Sequence, residues 1–498
     1  MRVRIFTCLH KSITAASFPS LLWSTFLIIL AGLVVFSQTW AFYGDEGFHL
    51  LASRLIILGK KPYLDFFYPQ MPLFAYLSAA WMQIFSDTWR SSHMLSALLT
   101  GGSVVLSSAF LFERLPETGW KLSAAVIAAI LMGFNTMVLG FGTIGQAYGV
   151  CLFLIVLCFW LVIKAVAESR STLLLWSGLC AGASAGSSLL SAPVLPILLA
   201  WAASRVGNGR RVKTCLWFLA GVGISCLPLI WLAVLAPRQT IFNILEYHIL
   251  YRSPNTLTAM RVNIRTLAEI LNSAQFTLPI LFAGIGLLFV VRRSQWDLER
   301  KSEFYLCGWL AAGLSIFLAT LPIVDPQYFI LMVPFLSILA PVGIMAIASW
   351  LHPMASLSWL VPAVLMLFGA GLPWWLWQQY HRLHWPQLEV VAKVVNDVTP
   401  EGGLVWADGF IYFAAGRVPP SGLENYDSLD LQLAPDDTAK LHIMRRADLY
   451  NWVAEGGFAT VASCWATDDW IAASGLRKIY VEHAKSNRCD IFWSKASH

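Results

Sequence analysis

The sequence predicts a mainly α-helical, polytopic membrane bundle followed by a small water-soluble α/β domain. Three observations carry that reading. Of 498 residues, 57% are hydrophobic and only 12% are charged, where an ordinary soluble domain carries about 25% charged residues. The apolar residues gather in about eleven runs, each near the length of about 20 residues that a bilayer-crossing helix needs. The charges gather at the C-terminus, where residues 379–498 hold 26 of the 62. A soluble surface keeps its charges however large its core, so a soluble enzyme is excluded. Disorder is excluded by the same apolar content.

The apolar runs fall at Leu21–Phe42, Ser91–Phe112, Leu122–Gly140, Ala147–Val166, Leu173–Gly186, Leu189–Ala203, Thr214–Ala236, Phe276–Val291, Phe304–Leu321, Tyr328–Trp350 and Leu357–Trp377. The fifth and sixth are short and rich in Gly and Ser. The first is long enough to remain an anchor rather than a cleaved leader, and Thr39-Trp40-Ala41 is a poor cleavage site. Basic residues of short loops favour the cytoplasmic side. An N-terminus inside collects Arg2, Arg4, Lys11, Arg114, Lys121, Lys164, Arg170, Arg205, Arg210, Arg211, Lys213, Arg292, Arg293, Arg300 and Lys301 there. An odd number of spans then sets the C-terminal domain outside.

The organisation expected is a membrane body over residues 1–378, with long outer loops at 43–90 and 237–275, and a soluble α/β domain over 379–498. The body carries net +10 and the tail net −4, so the overall +6 reflects short membrane loops and does not imply nucleic-acid binding. In the tail, Pro386–Val398 and Asp437–Glu455 read as helices. Leu404–Ala407, Phe458–Ala462, Lys478–Glu482 and Asp490–Trp493 read as strands. The tail has no Gly-rich phosphate loop and no nucleophile motif. Most of the nine cysteines lie in or beside apolar spans, as small buried hydrophobes do. Cys464 and Cys489, both in the tail, form a disulfide if that domain faces an oxidising compartment.

Both outer loops hold amphipathic stretches, Phe48–Leu58 and Ile241–Tyr251, suited to helices in the interfacial plane. The first loop opens with Tyr43-Gly44-Asp45-Glu46-Gly47-Phe48-His49. Carboxylates at the edge of hydrocarbon are costly unless they pair or line a polar cavity. A helix starting at Asp45 places Asp45 and His49 on one face at i, i+4; simple helix N-terminal charge is the plainer account of the same acids. Downstream, Lys60, Lys61, Tyr63, Asp65, Tyr68 and Gln70 fall in a stretch rich in proline and aromatics. Lysines attract phosphate and aromatic rings offer flat faces to sugars, so the stretch suits an anionic lipid headgroup carrying a sugar.

The acidic pair after the first span, followed by Gly59-Lys60-Lys61-Pro62-Tyr63-Leu64-Asp65-Phe66-Phe67-Tyr68-Pro69-Gln70-Met71-Pro72, resembles the GT-C superfamily of integral-membrane glycosyltransferases. The branch most similar comprises bacterial relatives of protein O-mannosyltransferases and of the lipid A aminoarabinose transferase. Asp325-Pro326-Gln327-Tyr328 and Ile411-Tyr412-Phe413-Ala414-Ala415-Gly416 resemble later segments of such proteins. This chain departs from them at Gln70-Met71-Pro72, where a basic residue is usual, at Gln146, where an acid is usual, and at Ser187-Ser188-Leu189-Leu190, which lacks a basic residue.

The resemblance implies a GT-C type bundle that moves a sugar from a polyprenyl-phosphate donor to an acceptor hydroxyl on a membrane lipid, an envelope glycan or a protein. It implies a bacterial inner membrane, with the N-terminus cytoplasmic and the tail periplasmic. Asp45 would be the general base of an inverting displacement, and Glu46 would share the catalytic site. His49, Lys60, Lys61, Tyr63, Asp65, Tyr68, Gln70, Arg252, Asp325 and Tyr328 would contact substrates. Lys61 and Arg252 lead the candidates for the lipid phosphate, ahead of Arg238, Arg261 and Arg265. A divalent cation near Glu46, His49 and Asp65 is feasible on the carboxylates and imidazole present. Two other readings stay open: a lipid or glycan transporter, which intramembrane charges and an internal repeat would mark, and a scaffold whose tail binds a partner.

Overall fold

The structure, a computed structural model, describes residues 19–494 apart from 252–255, 352–358, 432 and 466. Arg2, Arg4, Cys8, Lys11 and Arg252 therefore lie outside the described residues. Among those described, eight helical runs are long and apolar enough to cross a membrane: Ser20–Thr39, Trp89–Arg114, Tyr148–Ala167, Asn208–Leu235, Ala274–Arg292, Leu298–Ala319, Pro326–Leu351 and Leu360–Val398. The pair Lys121–Gly133 and Thr136–Gly142, bent by 57°, makes a ninth if counted as one span. Asn135 causes the bend, its side chain accepting from the backbone of Met137 and Val138 and so starting a new helix. The fifth and sixth apolar runs also fold as helices, Ser171–Ser187 and Val194–Arg205. At 17 and 12 residues they are shorter than the ~30 Å of hydrocarbon requires.

Lipid is the natural solvent of this bundle's outer surface. The Asn208–Leu235 helix leaves Leu216, Leu219, Leu227, Ile230 and Val234 exposed, side chains that only an apolar medium tolerates in such number. It crosses Ser171–Ser187 at Gly178 and Gly221, where an added Cβ would meet the Phe218 and Leu175 carbonyl oxygens at 1.9 and 2.0 Å. The Gly/Ser content of the fifth run thus serves close helix approach, the usual source of association where water supplies no driving force.

In the tail a four-stranded sheet has the order β1-β2-β4-β3, with β1 (Val405–Ala407), β2 (Thr460–Ser463), β3 (Glu482–Ser486) and β4 (Cys489–Trp493). β1 and β2 are parallel; β2 with β4 and β4 with β3 are antiparallel. Alternation decides what each face meets. Trp406, Val461 and Phe492 pack with Leu449, Val453 and Leu476 inside the tail. Val405, Ala407, Ala462 and Ile491 face Trp385, Leu388, Val391 and Val395 of the Trp385–Val398 helix, in a core that also contains Leu50, Leu51 and Leu55 of the first loop. The sheet is thereby fixed to the membrane body. Cys464 and Cys489 form a disulfide within it.

Two tail elements depart from the sequence reading. Asp437–Glu455 breaks into Pro435–Lys440 and Arg446–Ala454, because His442 adopts a left-handed φ of 54° and its imidazole donates to the Leu64 carbonyl of the first loop, 2.7 Å away. Of Lys478–Glu482, the first two residues end a short helix, Leu476–Ile479, and the strand begins only at Glu482. β3 is an edge strand whose exposed His483 and Lys485 give no apolar alternation to read.

Tail and body approach each other closely at Gly47. A Cβ there would lie 2.4 Å from the backbone nitrogen of Phe410 in the Gly409–Ala415 helix, whereas at Gly409 its nearest contact would be 3.3 Å. Backbone cannot swing aside as a side chain can. Gly47→Ala is expected to lose about 2 kcal/mol or more and to release the tail, seen as faster proteolysis of residues 385–415 and a lower melting temperature. Gly409→Ala should be mild by both measures.

Asp408 and Glu424 are buried in the tail, and burial pushes each up to about 7. Asp408 accepts from the Cys464 backbone at 2.7 Å and Glu424 from that of Gly422 at 2.8 Å, which only partly offsets the loss of water. An acid with a raised folded pKa keeps its proton after the unfolded chain has lost it. The stabilisation is therefore full below the ordinary carboxylate range and is lost as pH rises through about 7. Denaturant unfolding of the tail should require less free energy at pH 8 than at pH 5, by on the order of a few kcal/mol. Asp408→Asn with Glu424→Gln should flatten that slope. His49, which burial lowers to about 3, acts in the opposite sense below its ordinary 6.5, so the comparison is of chain and variant at each pH.

Candidate active site

The first span ends at Thr39, and a short extended segment leads to a turn at Gly44-Asp45 closed by the Glu46 amide on the Tyr43 carbonyl at 3.0 Å. The helix Glu46–Ile57 follows at once. Adjacent acids on a helix start point about 100° apart, and here they meet opposite surroundings. Asp45 is exposed and lines a cavity. Glu46 is fully buried.

Four donors converge on the Glu46 carboxylate. Oε2 accepts from His93 Nε2 at 2.7 Å and from the Gly145 amide at 2.9 Å; Oε1 accepts from Trp385 Nε1 at 2.6 Å and from the Tyr43 amide at 3.4 Å. His93 Nδ1 lies 2.7 Å from the Ser37 carbonyl, which can only accept, so that nitrogen carries a proton. His93 Nε2 and Glu46 Oε2 thus share one short, fully buried hydrogen bond. Glu46 therefore joins the end of the first span, the Trp89–Arg114 helix, the Gly145 turn and the tail. It does not line the cavity.

The cavity has a volume of about 280 Å³. Asp45, His49, Gln70, Asp325 and Tyr328, five of the residues expected from the sequence, line it together. Gln146, Tyr148, Ser188, His248 and Gln327 add polar groups that the sequence reading did not assign. Phe317, Leu321, Leu189, Leu190, Ile244, Leu245 and Ile249 supply an apolar wall. Gln146 and Ser188 fall where this chain departs from the family it resembles, and that departure was the available signal. His248 and Tyr148 sit within apolar sequence and gave none.

The remaining expected residues hold the loop in shape. Tyr68 is buried, its hydroxyl 2.9 Å from His49 Nδ1, and burial raises its pKa well above the ordinary tyrosine value. His49 packs on Phe48 and against Phe74. With a pKa near 3 it is neutral at physiological pH and does not serve as a proton donor there. Tyr63 is fully buried at a left-handed φ of 68°, and its hydroxyl donates to the Gln70 carbonyl at 2.5 Å. A bulky side chain in that region costs on the order of 1–3 kcal/mol, which marks a constrained site; here it sets the backbone that presents Gln70 and Met71. Asp65 accepts from the Lys61 amide at 2.7 Å, forming a turn. Lys60 and Lys61 are half-buried and neither lines the cavity.

The second loop is tied to the first. Asn243 accepts from the Tyr68 amide at 2.9 Å, and His248 Nε2 donates to the Pro69 carbonyl at 3.0 Å. Asn243 lies in a π-helical turn, Phe242–Glu246, a backbone form frequent at functional sites. Arg238 pairs with Glu246, and Arg265 with Glu269 at 2.9 Å. Arg261 is exposed outside the cavity. Among the described residues, no Lys or Arg lines the cavity and no three His, Cys, Asp or Glu converge as a metal site. Glu46, His49 and Asp65 thus do not combine as metal ligands, and no step below passes through a metal.

No protein-family model matches the chain, and no curated protein does. Solved structures do. The chain is similar to ArnT from Cupriavidus metallidurans in the apo state, with 15% identity and a TM-score of 0.63 over 94% of this chain and 96% of that one. ArnT bound to undecaprenyl phosphate gives 14% and 0.64 over 96% and 98%. The Archaeoglobus fulgidus oligosaccharyltransferase AglB, in complex with an inhibitory peptide and a dolichol-phosphate, gives 12% and 0.50 over 88% and 69%. At such identities the likeness shows the fold alone, that of a polytopic helical membrane protein matched over nearly the whole of ArnT.

Glu46→Gln replaces one acceptor oxygen by an amide that must face donors, leaving buried groups unpaired. A stability loss of about 3 kcal/mol or more is expected, read as a lower melting temperature of the purified protein. Asp45→Asn, one residue away, should melt near the wild-type temperature. Equal melting of the Glu46 variant and the wild type would sink the assignment of Glu46 as a structural hub.

Proposed function

We propose that this chain, built on the GT-C fold, is a membrane glycosyltransferase that moves a sugar from a polyprenyl-phosphate donor to an acceptor hydroxyl on the periplasmic face of a bacterial inner membrane. The observation that carries the reading is the position of Asp45: a carboxylate beside the end of the first span, lining a cavity to which bundle and outer loops both contribute polar and apolar residues. The apolar wall suits the first isoprene units of a lipid donor. Gln70, Gln146, Gln327, Tyr328 and Asp325 suit a sugar, whose hydroxyls need both donors and acceptors.

Asp45 accepts the proton of the acceptor hydroxyl as its oxygen bonds to the anomeric carbon. The bond from that carbon to the phosphate oxygen breaks, the electron pair leaves with polyprenyl phosphate, and the anomeric configuration inverts. His248 is the lining group able to carry positive charge near the phosphate, His49 being held neutral. Trp465 of the tail lies over Gly44, 3.3 Å from where a Cβ would stand, and is exposed. It suits stacking by an acceptor that approaches Asp45 from water. The orientation is supported by the tail disulfide, which fits an oxidising compartment. It is supported as well by basic residues interlinked at the other end, where Arg114 pairs with Glu303 and Arg293 with Glu117.

Purified protein in liposomes, given a panel of polyprenyl-phosphate sugars, is expected to release free polyprenyl phosphate with one of them. Asp45→Asn should reduce release by ~10²–10⁴-fold while inserting and folding normally. Equal release by the two proteins would remove Asp45 as the base. Failure to bind any donor would turn the assignment toward a lipid or glycan transporter.

A further inference from the structure

A second crevice, of about 400 Å³, lies where the last apolar helical run passes into the tail. It is lined by Arg382, Arg488, His381 and His384, with no Asp or Glu among its lining residues. Neither guanidinium has a carboxylate partner among the described residues. The nearby carboxylates are taken: Glu389 pairs with Arg90, and Asp490 with His483 and Lys485. His381 Nδ1 donates to the Trp377 carbonyl at 2.8 Å and His384 Nδ1 to that of Arg382 at 3.0 Å. Only Nε2 of each ring is left to meet a ligand.

Two independent features give this crevice a location and a cost. Directly before it, Trp374, Trp377 and Tyr380 are all exposed, Trp374 stacked on Trp377 and Trp377 against His381. Exposed Trp and Tyr at the end of an apolar helix mark headgroup depth. The second feature is the hairpin between β3 and β4. Ser486 pairs with Cys489, so Asn487-Arg488 is a two-residue turn, and both have left-handed φ, 45° and 70°. The second position of such a turn strongly favours glycine, so an arginine there is held against its backbone preference. Docking the hairpin does not require that arginine, because Asn487 already bonds the Gln387 carbonyl at 3.2 Å. Arg488 gives one N–H to the His381 carbonyl at 3.1 Å and keeps the rest of its planar donor fork, the geometry that matches phosphate.

We infer that this crevice binds the phosphate group of an anionic membrane lipid, held between Arg382, just beyond the last apolar helical run, and Arg488 of the β3–β4 hairpin. The bound headgroup would neutralise two guanidinium groups that line the same crevice, and would set the angle between tail and membrane. The inference is independent of the sugar-transfer assignment.

The test uses the delipidated full-length protein and titrates phosphatidylglycerol against phosphatidylcholine, reading bound lipid by native mass spectrometry and melting temperature in parallel. The wild type should prefer phosphatidylglycerol by about tenfold, or ~1.4 kcal/mol, and melt higher in its presence. Arg382→Gln with Arg488→Gly should bring the preference near parity. Arg488→Gly alone should leave the lipid-free melting temperature unchanged or raised, because it relieves the left-handed arginine. No preference in the wild type, or the same preference in the double variant, would overturn the proposal. A third arm with inorganic phosphate alone separates the sources. Protection by phosphate with none added by phosphatidylglycerol would overturn the lipid assignment.

Discussion

The buried Glu46 carboxylate is the interaction on which the site depends. A carboxyl group away from water is tolerated only when its oxygens are supplied with hydrogen-bond partners. Here the donors come from four separate stretches: Tyr43 beside it, His93 in a membrane helix, the Gly145 turn, and Trp385 in the tail. No subset satisfies the group, so the outer loop cannot reach its final form until the bundle has assembled and the tail has docked. Trp385 binds this together by contact as well as by hydrogen bond. It is fully buried, stacked on Trp89 at 5.7 Å and edge-on to Phe42. The neighbouring Trp89 indole and Arg90 then hold Glu389 of the same tail helix. The turn that presents Asp45 is therefore fixed from behind by a residue that does not itself line the cavity.

Much of this was legible in the sequence, and the exceptions have physical causes. Hydrophobic runs located every membrane helix, because a bilayer imposes one composition over a fixed length. It also separated the tail, whose charge density differs. Asp45, His49, Gln70, Asp325 and Tyr328 were recognisable from local pattern and do share a cavity. What local pattern could not do was tell Asp45 from Glu46. The two are adjacent, equally acidic and equally placed after a span. Their difference lies in partners 47 and 339 residues away. The aromatics of the first loop posed the same problem. Tyr63 and Tyr68 read as sugar platforms, yet both are buried with their hydroxyls committed within the protein. The lysines of that loop read as phosphate ligands, but the turn closed by Asp65 on the Lys61 amide leaves them off the cavity.

The cavity also lies where the helices lose regularity. Its walls come from the turn after the bent pair at Asn135, the break at Ser188 between two short helices, the π-helical turn at Phe242–Glu246 and the 3-10 segment Pro326–Met332. Each of these releases backbone groups from the α-helical ladder. In hydrocarbon such groups must be satisfied by protein or by a water-filled cavity, because lipid offers no hydrogen bonds. A cavity with polar side chains is thus the condition under which four such irregularities can occur together in one bundle. The shortness of Ser171–Ser187 and Val194–Arg205, which looks like a defect in a membrane-spanning pattern, ends the helices at Ser188 and brings that residue to the same space as Asp45. A sequence with these two runs extended to full spans would gain apolar helix and lose one wall of the cavity.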